Sequence, residues 1–224
     1  MTAVEQFQSA TEQLASDTQQ SALTLYGQYQ VGQLDHADTA LLLAALINRA
    51  NASAVSLADV WLAIQIEEQT GQPVPTVGVL PKDHSERLVK AVNTVLSNET
   101  APKLPVDDAA NVVTDDVADN GSPSLMTEPD QAGNRIARLA RAEPFEAAQQ
   151  ATHEAIQKQP LVEGWVRQMD ADPCQLCKWW WREGRVWPKA HPMPRHKGCN
   201  CQQKVVVAQS IKSTQYTRNL ERNT

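Results

Sequence analysis

Cys174-Gln175-Leu176-Cys177, followed after eighteen residues by His196-Lys197-Gly198-Cys199-Asn200-Cys201, decides how the C-terminal part of this chain folds. All four cysteines of the 224 residues fall within its twenty-eight positions. A zinc ion takes four tetrahedral ligands, and thiolate sulfur and imidazole nitrogen suit it best. The Cys-x-x-Cys half can wrap a knuckle around a metal, and the His-x-x-Cys-x-Cys half offers three further donors. Paired half-sites at this spacing predict a closed, structural Zn2+ site. The expected ligands are Cys174, Cys177, His196 and Cys201, with Cys199 the rival for the fourth place. An all-cysteine site that leaves His196 free fits the same spacing.

Other chemistries fit less well. A disulfide pair wants an oxidising compartment, and the first thirty residues are polar and helical in pattern rather than a signal peptide. Thioredoxin-like redox work wants its Cys-x-x-Cys in a βαβ pattern, which is missing around Cys174. A catalytic zinc keeps an open position beside an acid or base, and only Glu183 and His191 are close in sequence. A zinc nuclease of the His-Asn-His kind would need an Asp-His general-base pair that the chain does not offer.

On either side of the cluster the pattern is that of strands. Gly164-Trp165-Val166-Arg167-Gln168-Met169 is short and alternating, and Lys204-Val205-Val206-Val207 is β-branched. The two are expected to pair antiparallel, with the metal fastening the excursion between them. Metal binding can then substitute for buried area in a segment of little core.

Five of the six tryptophans lie between residues 165 and 187. Three of them, Trp179, Trp180 and Trp181, are adjacent, so they cannot all face inward on a strand or a helix. The plain expectation is a small core around the knuckle with at least one indole exposed, as in protein–protein hot spots. Trp179, Trp180, Trp181, Arg182, Arg185 and Trp187 are the candidate interaction residues. Basic residues among aromatics can also hold nucleic acid by phosphate contact and stacking.

The net charge of −6 is unevenly spread: −7 over residues 1–100, −6 over 101–130 and +7 over 131–224. Such separation fits two different partners or a solvated surface. No membrane partner is expected, because the longest apolar run, Ala40 to Ile47, is too short to span a bilayer.

Residues 1–98 read as a helical N-terminal domain. Val4, Phe7, Ala10 and Leu14 recur at helical spacing, followed by Leu23, Leu25 and Tyr26. Asp38 is the expected cap of a helix from Thr39 to about Asn51. Ser56 is the expected cap of the next helix, which ends at Gly71. Residues 83–97 resume helical periodicity through Leu88, Val92, Val95 and Leu96. Residues 99–132, acidic and set with Pro102, Pro105, Gly121, Pro123 and Pro129, read as a linker or arm. Residues 133–158 return to helix, with Arg135, Arg138 and Arg141 on one face and Pro144 as an expected break or restart. His36, His84 and His153 are expected at the solvated surface. Residues 133–210 make the zinc-binding domain and 211–224 a tail. The fold class expected is mainly α, with a small α+β, zinc-stabilised C-terminal domain of helix, β-hairpin and Cys/His knuckle.

The order Arg141-Ala142-Glu143, then a strand, then Asp172-Pro173-Cys174-Gln175-Leu176-Cys177, then His196-Lys197-Gly198-Cys199-Asn200-Cys201 resembles the C-terminal domain of the Mu F-like minor head proteins of tailed bacteriophages. With Gly184-Arg185-Val186-Trp187-Pro188 and His191-Pro192-Met193-Pro194, it looks most like the form found in actinobacterial phages. The resemblance covers residues 133–208. The family's usual His-Pro-Asn-Cys-Arg-Cys is partly kept: Lys197 and Gly198 stand for Pro and Asn, and the metal donors are intact.

The resemblance implies a virion component of head morphogenesis rather than an enzyme. Its implied place is the capsid interior near the portal vertex, and the host cytoplasm during assembly. The portal protein is the implied partner, with major capsid protein, scaffold and packaged double-stranded DNA as further candidates, and a role in DNA packaging or ejection. The alternative is a zinc-stabilised nucleic-acid-binding protein that contacts packaged DNA. Some relatives carry fused toxin or protease domains, but the chain has no Gly-x-Ser-x-Gly and no phosphate loop.

Overall fold

The computed structural model describes residues 1–100 and 130–208. Most of the expected 99–132 linker and all of the expected 211–224 tail lie outside the described residues. Four long helices come first: α1 (Ala3–Gln30), α2 (His36–Thr70), α3 (Ser85–Thr100) and α4 (Gln131–Lys158). Strand β1 (Val162–Gln168), helix α5 (Gln175–Trp181), a 3-10 turn (Arg182–Gly184), β2 (Trp187–Pro188) and β3 (Gln202–Val207) follow. The fold is mainly helical with a small C-terminal sheet, as the sequence pattern predicts.

The two helices expected between Asp38 and Gly71 are one, α2. Its cap is Asp35, whose carboxylate accepts from the Asp38 N–H at 2.7 Å. Ser56 caps nothing: its hydroxyl donates to the Ala52 carbonyl at 3.1 Å inside the helix. A serine that satisfies itself one turn back leaves the backbone ladder intact. The expected stop is right, since Gly71 takes the left-handed conformation (φ 67°) that closes the last turn. α2 is long and apolar enough by composition to cross a bilayer. Here Leu43, Ile47, Ala54, Leu62 and Ile66 are buried in the bundle, which makes α2 its central element.

α4 does not break at Pro144 either. A mid-helix proline costs about 3 kcal/mol. Its flanks are buried here through Ala140, Ala142, Phe145 and Ala148, and burying apolar side chains on both sides offsets that cost.

The expected separation of a 1–98 domain from a 133–210 domain does not describe the packing. One apolar core joins Phe7, Leu62 and Ile66 to Ala155, Ile156, Trp165 and Val205. A second joins Tyr26, Leu43, Ile47 and Val92 to Ile136 and Ala140. The reason is that α4 is apolar along both halves and lies against α1, α2 and α3 together. The expected linker also ends early: Asp130 caps α4, accepting from the Gly133 N–H at 2.8 Å, and Ala132 is buried.

The sheet order is β2-β1-β3, with both pairings antiparallel. β1 faces β3 from Trp165 opposite Val205 to Gln168 opposite Gln202, which confirms the expected pairing; each strand begins two residues earlier than its pattern suggests. β2 is the additional strand, with Trp187 opposite Trp165. It approaches closely because Gly164 has no side chain: a Cβ there would stand 2.6 Å from the Trp187 carbonyl oxygen.

Candidate metal centre

Cys174 is the N-cap of α5 and Cys177 lies one turn in, where the Lys178 N–H donates to the Cys174 carbonyl at 3.1 Å. That turn points both sulfurs one way. The facing loop runs from His196 to Cys201 and reverses at Gly198, whose φ of 76° is the left-handed region where glycine is at ease.

His196 Nε2 lies 3.1 Å from Cys174 Sγ and 3.2 Å from Cys177 Sγ, and Cys177 Sγ lies 3.4 Å from Cys199 Sγ. The donors form two triads, Cys174–Cys177–His196 and Cys177–Cys199–Cys201, which share Cys177. All five residues are therefore brought together through Cys177, although no four of the donor atoms lie mutually within 4.8 Å. All four cysteines are free thiols.

The donor set fits a metal ion. Bonds of about 2.0–2.3 Å from one tetrahedral zinc set donor–donor edges of about 3.4–3.8 Å, near the separations here. The His196 Nδ1 side faces the Lys197 carbonyl at 3.2 Å. A proton held there leaves the Nε2 lone pair for a metal. Burial pushes the Cys177 thiol up to about 12. Hydrogen bonding between Cys199 and Cys201 drives that pair apart, Cys199 upward and Cys201 down to about 6. Three crowded buried sulfurs cannot all ionise by themselves, and a divalent cation is what permits it.

The cluster loop is fixed from behind by the helices. Gln149 of α4 donates its amide to the carbonyls of Cys199 and Cys201, at 2.7 and 2.9 Å. Asn200 exchanges hydrogen bonds with Gln8 of α1, at 2.8 and 3.1 Å, and accepts from the Thr11 hydroxyl at 2.8 Å. Sequence reasoning missed Gln8, Gln149 and Asn200. The available signal was a glutamine within the apolar stripe of α4, where an amide is out of place unless it has backbone to hold.

Arg167 was also missed as a site residue. It is 2% exposed, and its guanidinium lies over the Trp180 ring at 5.4 Å, with one nitrogen 4.0 Å from Cys177 Sγ. Trp180 also leans on His196. Strand alternation could have found Arg167, since it shares the inward face with Trp165.

The tryptophans divide as the adjacency argument requires. Trp180 packs inward, whereas Trp179 and Trp181 are 62% and 37% exposed. Trp187 stacks on His191 at 4.2 Å and carries Arg185 over its ring at 4.4 Å. Both therefore serve the sheet edge. Arg182 is exposed in the left-handed turn after α5.

Arg141 pairs with Glu12, and Glu143 pairs with Arg87. Arg135 and Arg138 make no ion pair among the described residues. They line a hollow of about 470 Å³ with Leu139 and Lys197. The expected surface histidines are half-buried: His36 meets Asn93 at 3.0 Å, His84 lines the α2–α4 hollow, and His153 Nδ1 is buried without a partner among the described residues. Comparison of the chain with protein-family models, curated proteins and solved structures found no match.

Proposed function

We propose that this chain is a non-enzymatic minor head protein of a tailed bacteriophage, whose Cys/His cluster holds a structural zinc ion and whose partner is the portal protein inside the capsid. The observation that carries the reading is convergence. Two half-sites eighteen residues apart in sequence meet as five donors, in the motif order that resembles the Mu F-like domain. Zinc would join α5 to the His196–Cys201 loop through Cys174, Cys177, His196 and one of Cys199 and Cys201. The loop is already tied to α1 and α4, so loading would stabilise the C-terminal sheet and the helical bundle together.

The test is co-purification with the portal protein of the same phage, using wild type and a Cys174→Ser/Cys177→Ser double variant. Stoichiometric capture of wild type is expected, with loss in the double variant. A folded, zinc-loaded wild type that captures no portal protein would sink the proposal.

A second reading is supported by exposed Trp179 and Trp181, with Lys178 and Arg182 beside them: contact with packaged DNA. Phosphate binding of that kind must weaken steeply as salt rises. Binding that ignores salt, or no binding to duplex DNA, would remove it.

A further inference from the structure

We infer that Arg167 is the counter-ion of the metal-loaded cluster, an outer-sphere positioning residue that fixes the cluster at one net negative charge. The inference rests on the zinc reading and adds to it the charge state, the number of thiolate ligands and a residue that the ligand motif does not contain.

Arg167 is buried to 2% exposure on the inward face of β1. A guanidinium stays protonated in proteins. Buried charges are paired or they are costly, yet no carboxylate pairs with Arg167 among the described residues. Among the described residues its neighbours are the Pro194 carbonyl, the Trp180 face and Cys177 Sγ at 4.0 Å, and its Nε has no hydrogen-bond partner. A carbonyl and an indole orient a cation without neutralising it. Among the described residues the anion within reach is the sulfur cluster.

Counting charge then selects a ligand set. Two thiolates on a divalent ion make a neutral centre, which leaves Arg167 unbalanced. Four thiolates make −2 and exceed it. Three thiolates with the neutral His196 imidazole make −1, which one guanidinium matches. The loaded centre is therefore Cys174, Cys177, His196 and one of Cys199 and Cys201, with the remaining cysteine a thiol. Trp180 holds the arrangement, because it touches both the guanidinium and the His196 ring.

The experiment uses the full chain, loaded with cobalt(II) for spectroscopy and with zinc for affinity. The intensity of the sulfur-to-cobalt charge-transfer band counts thiolates in the wild type. Three is expected, and two or four overturns the assignment. Chelator competition on Arg167→Met and Arg167→Lys gives the second arm. Loss of an outer-sphere partner lowers metal affinity about 10–100-fold, so Arg167→Met is expected in that range, with its cobalt band moved to lower energy. Arg167→Lys keeps the charge and recovers most of the affinity. Wild-type affinity and band position in Arg167→Met, or equal damage from both variants, would overturn the inference, since packing alone ignores charge. Should Arg167→Met fail to fold, the wild-type thiolate count and Arg167→Lys decide. A wild type that takes up neither metal sinks the zinc reading itself, a result distinct from a loaded cluster indifferent to Arg167.

Discussion

The Glu143 carboxylate, 5% exposed inside α4, is held by both terminal nitrogens of Arg87 on α3. The Asn51 amide of α2 adds a third donor at 3.3 Å. One side chain thus ties three helices, which is a structural reason for a glutamate at position 143. Burial pushes the carboxyl up, but the Arg87 hydrogen bonds and charge, with Asn51, more than offset it and hold it below the ordinary carboxylate value. A depressed folded-state pKa contributes stability above the unfolded value and loses it as pH falls through the folded one. Wild type should therefore lose stability progressively below about pH 4.3, the ordinary glutamate value. In Glu143→Gln that part of the pH dependence should vanish. Urea titrations between pH 3 and 7 read it, and parallel profiles would remove Glu143 as the cause. Near neutral pH, Arg87→Ala should cost about 2 kcal/mol, because it leaves a buried carboxylate short of its charged partner.

Gly164 is where β2 touches β1. A Cβ there meets the Trp187 carbonyl oxygen at 2.6 Å, and backbone cannot yield as a side-chain tip can. Gly164→Ala should push β2 away and loosen the Trp187–His191 stack, at about 1–3 kcal/mol, the usual range for overpacking. Thermal unfolding followed by tryptophan fluorescence checks both effects. An unchanged melting temperature would mean that β2 adds nothing to the sheet.

What was legible in the sequence follows from the range of the forces involved. The convergence of the Cys/His half-sites could be read because donors spaced for one ion must meet in the fold, and these five do. The β1–β3 pair could be read because β-branched alternation is local. The continuity of α2 past Ser56, and of α4 through Pro144, could not. Each is decided by burial against other helices, which overrides a local breaker. The same limit hid the role of α4: residues 133–158 read as the start of a separate domain, yet Ile136 and Ile156 lie in cores shared with α1 and α2. Arg167 and Gln149 read as an ordinary strand cation and an ordinary helix amide, because what they hold lies in other elements.

Cys177 belongs to both donor triads and is buried, whereas Cys174 belongs to one and is exposed. With zinc in the cluster as proposed, Cys177→Ser should therefore abolish its retention, while Cys174→Ser weakens it and leaves a site that fills at higher zinc. Chelation of wild type should lower the melting temperature, since ligand binding to the folded state adds stability by mass action. Zinc content per chain and melting curves with and without chelator check this. Equal loss from the two serines would argue that the triads do not share their central sulfur.

Gln149 poses the sharper question of whether the loop is held by the metal or by α4. Its amide, 1% exposed, donates to two buried carbonyls, those of Cys199 and Cys201. Gln149→Met keeps the volume and removes the donors. Leaving buried acceptors unpaired costs about 1–3 kcal/mol each, so about 2–6 kcal/mol is expected for the two, with weaker retention of the proposed zinc as the loop relaxes. Gln149→Glu should be worse. An ionised carboxylate cannot donate, and it would face carbonyl oxygens beside a cluster of sulfurs. Protonation restores a donor, so the excess cost of Glu over Met should shrink as the pH is lowered. Urea unfolding of both variants at two pH values tests this order. A neutral Gln149→Met would show that the metal alone positions Cys199 and Cys201, and the helical bundle would then be a platform for the site without shaping it.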